Sequence, residues 1–187
     1  MTRRAAARLL LALAVAAHLG CGGGGGGGGG PTNPSTPTPP ATITFTPSGT
    51  GGANSLALMR ISSDQTSLVL SLEATSVTDL YGVAFDLRFP AAALAFDEAI
   101  EGTFLDQNGS VDTSLQVAES PSGTLVIGLS RLGQVSGRTG TGSLLRLEFN
   151  RRAAGSGDLV FADNQAFNAA GSAIAGVQWS AGRVVVP

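Results

Sequence analysis

From Ile43 onward the apolar residues recur at every second position, and that spacing excludes helical architectures. Leu68, Leu70, Leu72 and Ala74 alternate with Ser67, Val69, Ser71 and Glu73. Tyr81, Val83, Phe85, Leu87 and Phe89 alternate with Gly82, Ala84, Asp86 and Arg88. Successive side chains of a strand point to opposite faces, so each run predicts a strand with one buried face. Shorter, less regular runs at 56–61, 115–119, 124–130, 143–150, 158–162, 177–180 and 183–186 read the same way. Turn-forming clusters separate them, among them Pro121-Ser122-Gly123, Asp106-Gln107-Asn108-Gly109 and the glycine-rich stretch 133–142. No segment keeps a 3.6-residue period, and the best helical candidate is the short 90–95. Eight or nine short strands with turns between them predict an all-β chain, folded as one antiparallel β-sandwich over 41–187.

What holds such a sandwich together is narrowed by two absences. The one histidine, His18, and the one cysteine, Cys21, both precede the alternating region, so 41–187 offers neither an imidazole nor a disulfide. Nucleophilic catalysis through a Ser-His-Asp or Cys-His system, and zinc sites of the common kinds, are thereby excluded from this region, and no cofactor is expected. Stability must come from a hydrophobic core. All eleven basic residues are arginine, and three of them precede residue 9, which leaves eight against thirteen acidic residues, a formal charge of −5. Those eight are scattered, with only Arg151 and Arg152 adjacent, so no basic patch for nucleic acid is expected.

The first twenty-one residues carry a different message. Arg3, Arg4 and Arg8 precede an apolar run from Leu9 to Ala17, which gives way to His18-Leu19-Gly20-Cys21. A basic region, a short apolar region and small residues before a cut form an export signal, here 1–20, and nine apolar residues are too few to span a bilayer. Gly20-Cys21 resembles the end of a bacterial lipoprotein signal, whose cysteine receives the lipid; His18 stands where that family usually has leucine. The resemblance implies lipidation of Cys21 and an outer-membrane or cell-surface location. The alternative is cleavage after Ala14-Val15-Ala16, which gives a secreted chain with Cys21 as a free thiol. Residues 21–40 then read as a disordered tether, nine glycines followed by a segment with five prolines. Its two parts would reach about 15 to 18 Å as a coil and about 30 Å as polyproline II.

Three segments in order resemble a cohesin module. They are Tyr81 to Pro90 followed by Leu94-Ala95-Phe96, then Gly128-Leu129-Ser130-Arg131-Leu132-Gly133, then Gly140-Thr141-Gly142-Ser143-Leu144-Leu145-Arg146-Leu147-Glu148-Phe149. The resemblance implies a nine-stranded jelly roll of cohesin type, a role in polysaccharide degradation, and a protein partner of dockerin type, with calcium on the partner. Gly82 and Ala84 stand at outward positions where cellulosomal members present polar side chains to the dockerin, so a standard contact is not expected. Asp86 and Arg88 point outward and become the candidate partner-binding residues.

Other constellations are weighed against plainer readings. Asp97, Glu98 and Glu101 read best as a solvated acidic loop, ahead of a cation site or a glycosidase pair, because carboxylates on one loop are poorly placed to flank a sugar. Asp106 to Asp112 has the spaced oxygens of a calcium loop, but Val117 holds the twelfth position, and an Asn-Gly turn is favoured. Gly137, Gly140 and Gly142 around Arg138 read as a turn, since a strand and not a helix follows. Ser130 beside Arg131 has no base to activate it. Trp179, in alternation with Val177, reads first as core or core edge, and is also the candidate for a second kind of function, direct carbohydrate binding, which predicts that it is exposed. Tyr81 reads as core or core edge. Neither catalytic residues nor metal ligands are assigned, and the expected function is a non-catalytic cell-surface module binding a dockerin-like protein, with polysaccharide as the alternative ligand.

Overall fold

The computed structural model describes residues 41–121 and 123–187; the leader expected at 1–20, Cys21 and the tether at 21–40 lie outside them. Eleven strands form two sheets: β1 (Thr44–Pro47), β2 (Ser55–Ser63), β3 (Ser67–Leu80), β4 (Gly82–Arg88), β5 (Leu94–Glu101), β6 (Thr113–Ser120), β7 (Thr124–Arg131), β8 (Arg138–Arg151), β9 (Gly155–Phe167), β10 (Gln178–Ser180) and β11 (Gly182–Val186). One short helix, α1 (Thr103–Asp106), lies between β5 and β6. The six-stranded sheet runs β1-β11-β9-β4-β7-β6 and the five-stranded sheet β10-β2-β3-β8-β5. Every pairing is antiparallel except the short β10–β2. Nine strands have five residues or more, so the expected nine-stranded sandwich is found with two short additions at its edges.

The alternation seen in sequence builds the core. Leu68, Leu70 and Leu72 of β3 stand opposite Phe149, Leu147 and Leu145 of β8, and all six side chains are fully buried. Phe85 and Leu87 of β4, Leu125, Ile127 and Leu129 of β7, and Leu159 of β9 meet them from the other sheet. Each such side chain contributes about 1.5–3 kcal/mol relative to exposure.

The alternation lapses after Ala74 because β3 is bulged twice. Its register with β8 steps from Ala74↔Gly142 to Val77↔Gly140 to Leu80↔Arg138, three residues against two at each step. Ser76 and Asp79 take up the extra length in left-handed conformation, with φ of 48° and 55°. Thr141 Oγ1 accepts from the Ser76 amide at 2.9 Å, and Thr139 Oγ1 from the Asp79 amide at 3.1 Å. Ala74, Val77 and Leu80 consequently all stay buried, at a spacing of three.

Several expectations are corrected. The helical candidate at 90–95 is a turn held by the Pro90 carbonyl, which accepts from the amides of Ala93 and Leu94 at 2.9 and 3.0 Å, and Leu94 already begins β5. Asp97 and Glu98 lie not on a loop but on β5, the edge strand beside β8, and Glu101 ends it, accepting a hydrogen bond from the Thr113 hydroxyl. Gly140 and Gly142 belong to β8, not to a turn. At Gly142 a side chain would strike the Phe104 ring at 2.9 Å, so glycine there lets α1 dock on the strand.

The β2–β3 turn is locked by one carboxylate. Asp64 Oδ1 accepts from the amides of Thr66 and Ser67, both at 2.7 Å, and from the Thr66 hydroxyl at 2.9 Å, while Oδ2 accepts from the Ser67 hydroxyl at 3.0 Å. Those donors hold its pKa down from 3.8 to about 2. The charged form is the one favoured by folding, so its stabilisation is complete above pH 4 and is lost as pH falls from about 4 through 2. Asp64→Asn should therefore lower the melting temperature at pH 7, and the gap to the parent protein should narrow as pH falls from about 4 towards 2. Thermal unfolding followed by circular dichroism at several pH values measures it.

Candidate functional site on the outer face of the six-stranded sheet

With the inner faces committed to the core, recognition falls to the outer faces, and the two differ in character. On the five-stranded sheet, polar groups are already paired with one another. Arg146 contacts Glu148 at 2.7 Å, and Ser71 donates to Glu73 and shares a hydrogen bond with Ser143 at 2.8 Å.

The six-stranded sheet is flatter in chemistry. On β4 its outward residues are Ala84, Asp86 and Arg88, flanked by Gly128, Val126 and Thr124 of β7 and by Gln165, Ala162 and Val160 of β9. Ala118 of β6 lies beyond Val126. Val126 and Val160 are about half exposed, at 50% and 48%. Apolar small residues thus surround two charges, half-buried Asp86 and exposed Arg88, on the central strand. Among the described residues neither makes an ion pair or a side-chain hydrogen bond, so both remain available. Depletion of charge around a few uncommitted polar groups is the composition of a protein interface core.

The two glycines of this face have different reasons to be there. At Gly82 a Cβ would sit 2.9 Å from the Leu129 carbonyl oxygen, so packing demands glycine. At Gly128 a Cβ would meet nothing within 4 Å, and the backbone is not left-handed. Glycine in the middle of a strand weakens it unless something approaches closely. Gly82, Ala84 and Gly128 floor a hollow of about 440 Å³ flanked by Tyr81 and Phe167. Tyr81 is half-buried at the core edge and its hydroxyl donates to the Gly133 carbonyl at 2.7 Å.

Trp179 lies elsewhere, on β10. Its ring packs against Phe161 at 5.1 Å and Phe85 at 5.5 Å between centroids, half-buried, while lining a groove of about 540 Å³. The ring is therefore only partly exposed, short of the exposed position that the carbohydrate reading predicts, and Asp86 and Arg88 do not line that groove. The remaining sequence candidates resolve into structure. Asp106 accepts from the Asn108 and Gly109 amides at 2.9 and 3.1 Å, so its carboxylate closes the turn after α1. Arg131 is 3% exposed and donates to the Leu105 carbonyl, tying β7 to α1. Among the described residues no cluster of acidic, histidine or cysteine side chains could hold a metal ion, and no helix is long and apolar enough to cross a membrane.

No family model and no curated protein matches the sequence. Solved structures do match. The type II cohesin module in a cohesin–X–dockerin complex from Acetivibrio cellulolyticus superposes with a TM-score of 0.59 at 12% identity, over 71% of this chain and 96% of that one. The fold is that of a cohesin module. The second type II cohesin of the cellulosomal adaptor scaffoldin of the same organism gives 0.58 at 14% identity, over 78% and 95%. A non-cellulosomal cohesin from the hyperthermophilic archaeon Archaeoglobus fulgidus gives 0.50 at 16%, over 76% and 89%. At these identities the likeness is one of fold, and the expected cohesin-type jelly roll is found.

The two glycines of this face should separate by substitution. Gly82→Ala should cost about 1–3 kcal/mol through its clash with the β7 backbone. Gly128→Ala should be neutral, or stabilise by up to about 1 kcal/mol through reduced chain entropy. Urea unfolding of the two variants beside the parent protein measures both.

Proposed function

We propose that this chain is a non-catalytic binding module that docks a calcium-loaded, dockerin-like protein module on the outer face of its six-stranded sheet. The observation that carries the reading is the pair Asp86 and Arg88, uncommitted and surrounded by Ala84, Val126, Gly128, Val160 and Ala162 on a central strand. Such a surface presents little to desolvate except two charges that fix orientation. That one structural neighbour is a cohesin in complex with a dockerin supports the choice of partner. Gly82 and Ala84 supply no hydrogen bonds from their side chains, so the partner must be read through Asp86, Arg88 and shape, a recognition distinct from that of cellulosomal members. The context we assign is polysaccharide degradation at the cell surface, with calcium belonging to the partner.

Isothermal titration against a panel of calcium-loaded dockerin modules, repeated in chelator, tests the reading. At least one module should bind, calcium-dependently, and joint reversal to Asp86→Arg and Arg88→Asp should weaken it by about tenfold or more. Binding by no module, or affinity indifferent to the double reversal, overturns it.

The surface location rests on Cys21, and we propose that it carries the lipid. In its own cells the protein should fractionate with membranes, and its N-terminal peptide should carry the mass of a diacylglyceryl cysteine. Cys21→Ser should release it to the soluble fraction. A soluble parent protein with an unmodified Cys21 would favour the secreted alternative.

A further inference from the structure

We infer that the groove beside Trp179 is a second binding site, which adjoins the partner face at Val160 but is not lined by Asp86 or Arg88, and that its ligand is a neutral saccharide. The groove exists because of how the chain changes sheets. Past β10, on the five-stranded sheet, Ala181 carries the chain across to β11, which pairs with β9 only as far as Gly182↔Leu159. Beyond Leu159 the edge of β9 has no β11 partner, and Phe161 and Trp179 from opposite sheets meet over the gap.

The polar groups around this aromatic floor are placed for hydroxyl groups. The β9 ladder to β4 is bulged between Ala162 and Gln165, with Asp163 left-handed at φ 47°. A bulge re-aims the residues it contains, and here Asn164 is half-buried and lines the groove. Its amide has no hydrogen-bond partner among the described residues, and an amide offers both donors and an acceptor. Arg183 Nη1 holds Asp158 Oδ1 at 3.0 Å and Nη2 holds the Ser156 hydroxyl at 3.0 Å, which leaves Oδ2 of Asp158 to accept from a ligand.

These features select among ligand classes. An apolar ligand would cover Asn164 and Asp158 without pairing them, at the full desolvation penalty of each. An anion would face the Asp158 carboxylate, while the Arg183 guanidinium that also lines the groove is already held by Asp158 and Ser156. An added peptide strand would find only 160–162 before the bulge interrupts pairing. A pyranose ring fits: its C–H face lies on the aromatic floor, and its hydroxyls find a donor and acceptor in Asn164 and an acceptor in Asp158.

Trp179 is the only tryptophan in the chain, so its emission reports this groove directly. The full chain is titrated with β-1,4-linked oligosaccharides of glucose, xylose and mannose. A saturable change in emission is expected with at least one of them. Asn164→Ala and, separately, the exposed Asp158→Ala should each weaken that binding by about tenfold with the melting temperature little changed. The Asp86→Arg, Arg88→Asp protein should bind the sugar as the parent does, which keeps this result independent of the partner face. A flat titration with all three sugars overturns the inference, as does binding that neither Asn164→Ala nor Asp158→Ala weakens.

Discussion

The packing of the β3 leucines against the inward residues of β8 is the contact on which everything else in the molecule rests. Residues 41–187 contain no cysteine, and no metal-holding cluster occurs among the described residues, so no covalent or coordinate staple can replace that packing. Leu68, Leu70 and Leu72 face Phe149, Leu147 and Leu145 across one pair of central strands, with Phe89 and Phe96 extending the stack onto the Phe149 ring at 5.3 and 6.0 Å. Removing any one of them leaves a cavity that the rigid sheets on either side cannot close, and such losses run to about 3–5 kcal/mol for phenylalanine. The core is thus both the source of stability and the reason the outer faces are free to carry other chemistry.

Two departures from ideal strand geometry adapt this core to its outer face and edge. The bulges at Ser76 and Asp79 bend the long β3–β8 ribbon while keeping Val77 and Leu80 inside, and the hydroxyls of Thr141 and Thr139 satisfy the amides that the missing ladder bonds would leave open. Asp79 also takes the Gly137 amide at 3.0 Å, anchoring the chain as it enters β8. In the other sheet the β9 bulge interrupts an edge that would otherwise offer a longer free run to another strand. A bulge there protects against edge-to-edge association, and it is also what brings Asn164 beside Trp179 and Phe161.

How much of this was legible in the sequence depends on which rule governed each segment. The period of two in 68–74 and 81–89 is set by burial alone, and there the expected strands are the observed ones. Where glycine or charge dominated the local signal, the strand was missed. The 133–142 stretch reads as turn because of its glycines, yet Gly140 and Gly142 are strand residues selected by the bulged partner and by Phe104 of α1, a contact distant in sequence. Asp97 and Glu98 read as loop because carboxylates are rare in strands. An edge strand exposes one face and one side, and can hold them. Asp86 and Arg88 were legible as outward residues, since alternation fixes their side of the strand. Asn164 was not, because its direction comes from an insertion in a ladder that no local pattern announces. The contrast between Gly82 and Gly128 was equally hidden, for it depends on what stands across β7.

That contrast bears on what shaped the proposed partner face. Stability alone would place β-branched residues across a central strand, where they pack against their neighbours. Here the centre holds Ala84, Gly128 and Ala162, while Val126 and Val160 are left half-exposed beside them. Gly82 is explained by its own fold, since the Leu129 carbonyl excludes a side chain; Gly128 is not, since neither backbone conformation nor packing requires it. A residue that costs the strand about 0.5–1 kcal/mol without an internal reason points outside the molecule for its reason. A flat, weakly polar surface with an unfilled hollow lowers the desolvation penalty of docking a second protein and leaves the geometry of the contact to be fixed by the two charges at its centre. The same economy operates at the Trp179 groove, where the unpaired Asn164 amide is the group whose internal reason is missing. In both places a residue without an internal reason is what the proposed ligand requires: a flat floor for a protein partner at Gly128, and a donor and acceptor for sugar hydroxyls at Asn164.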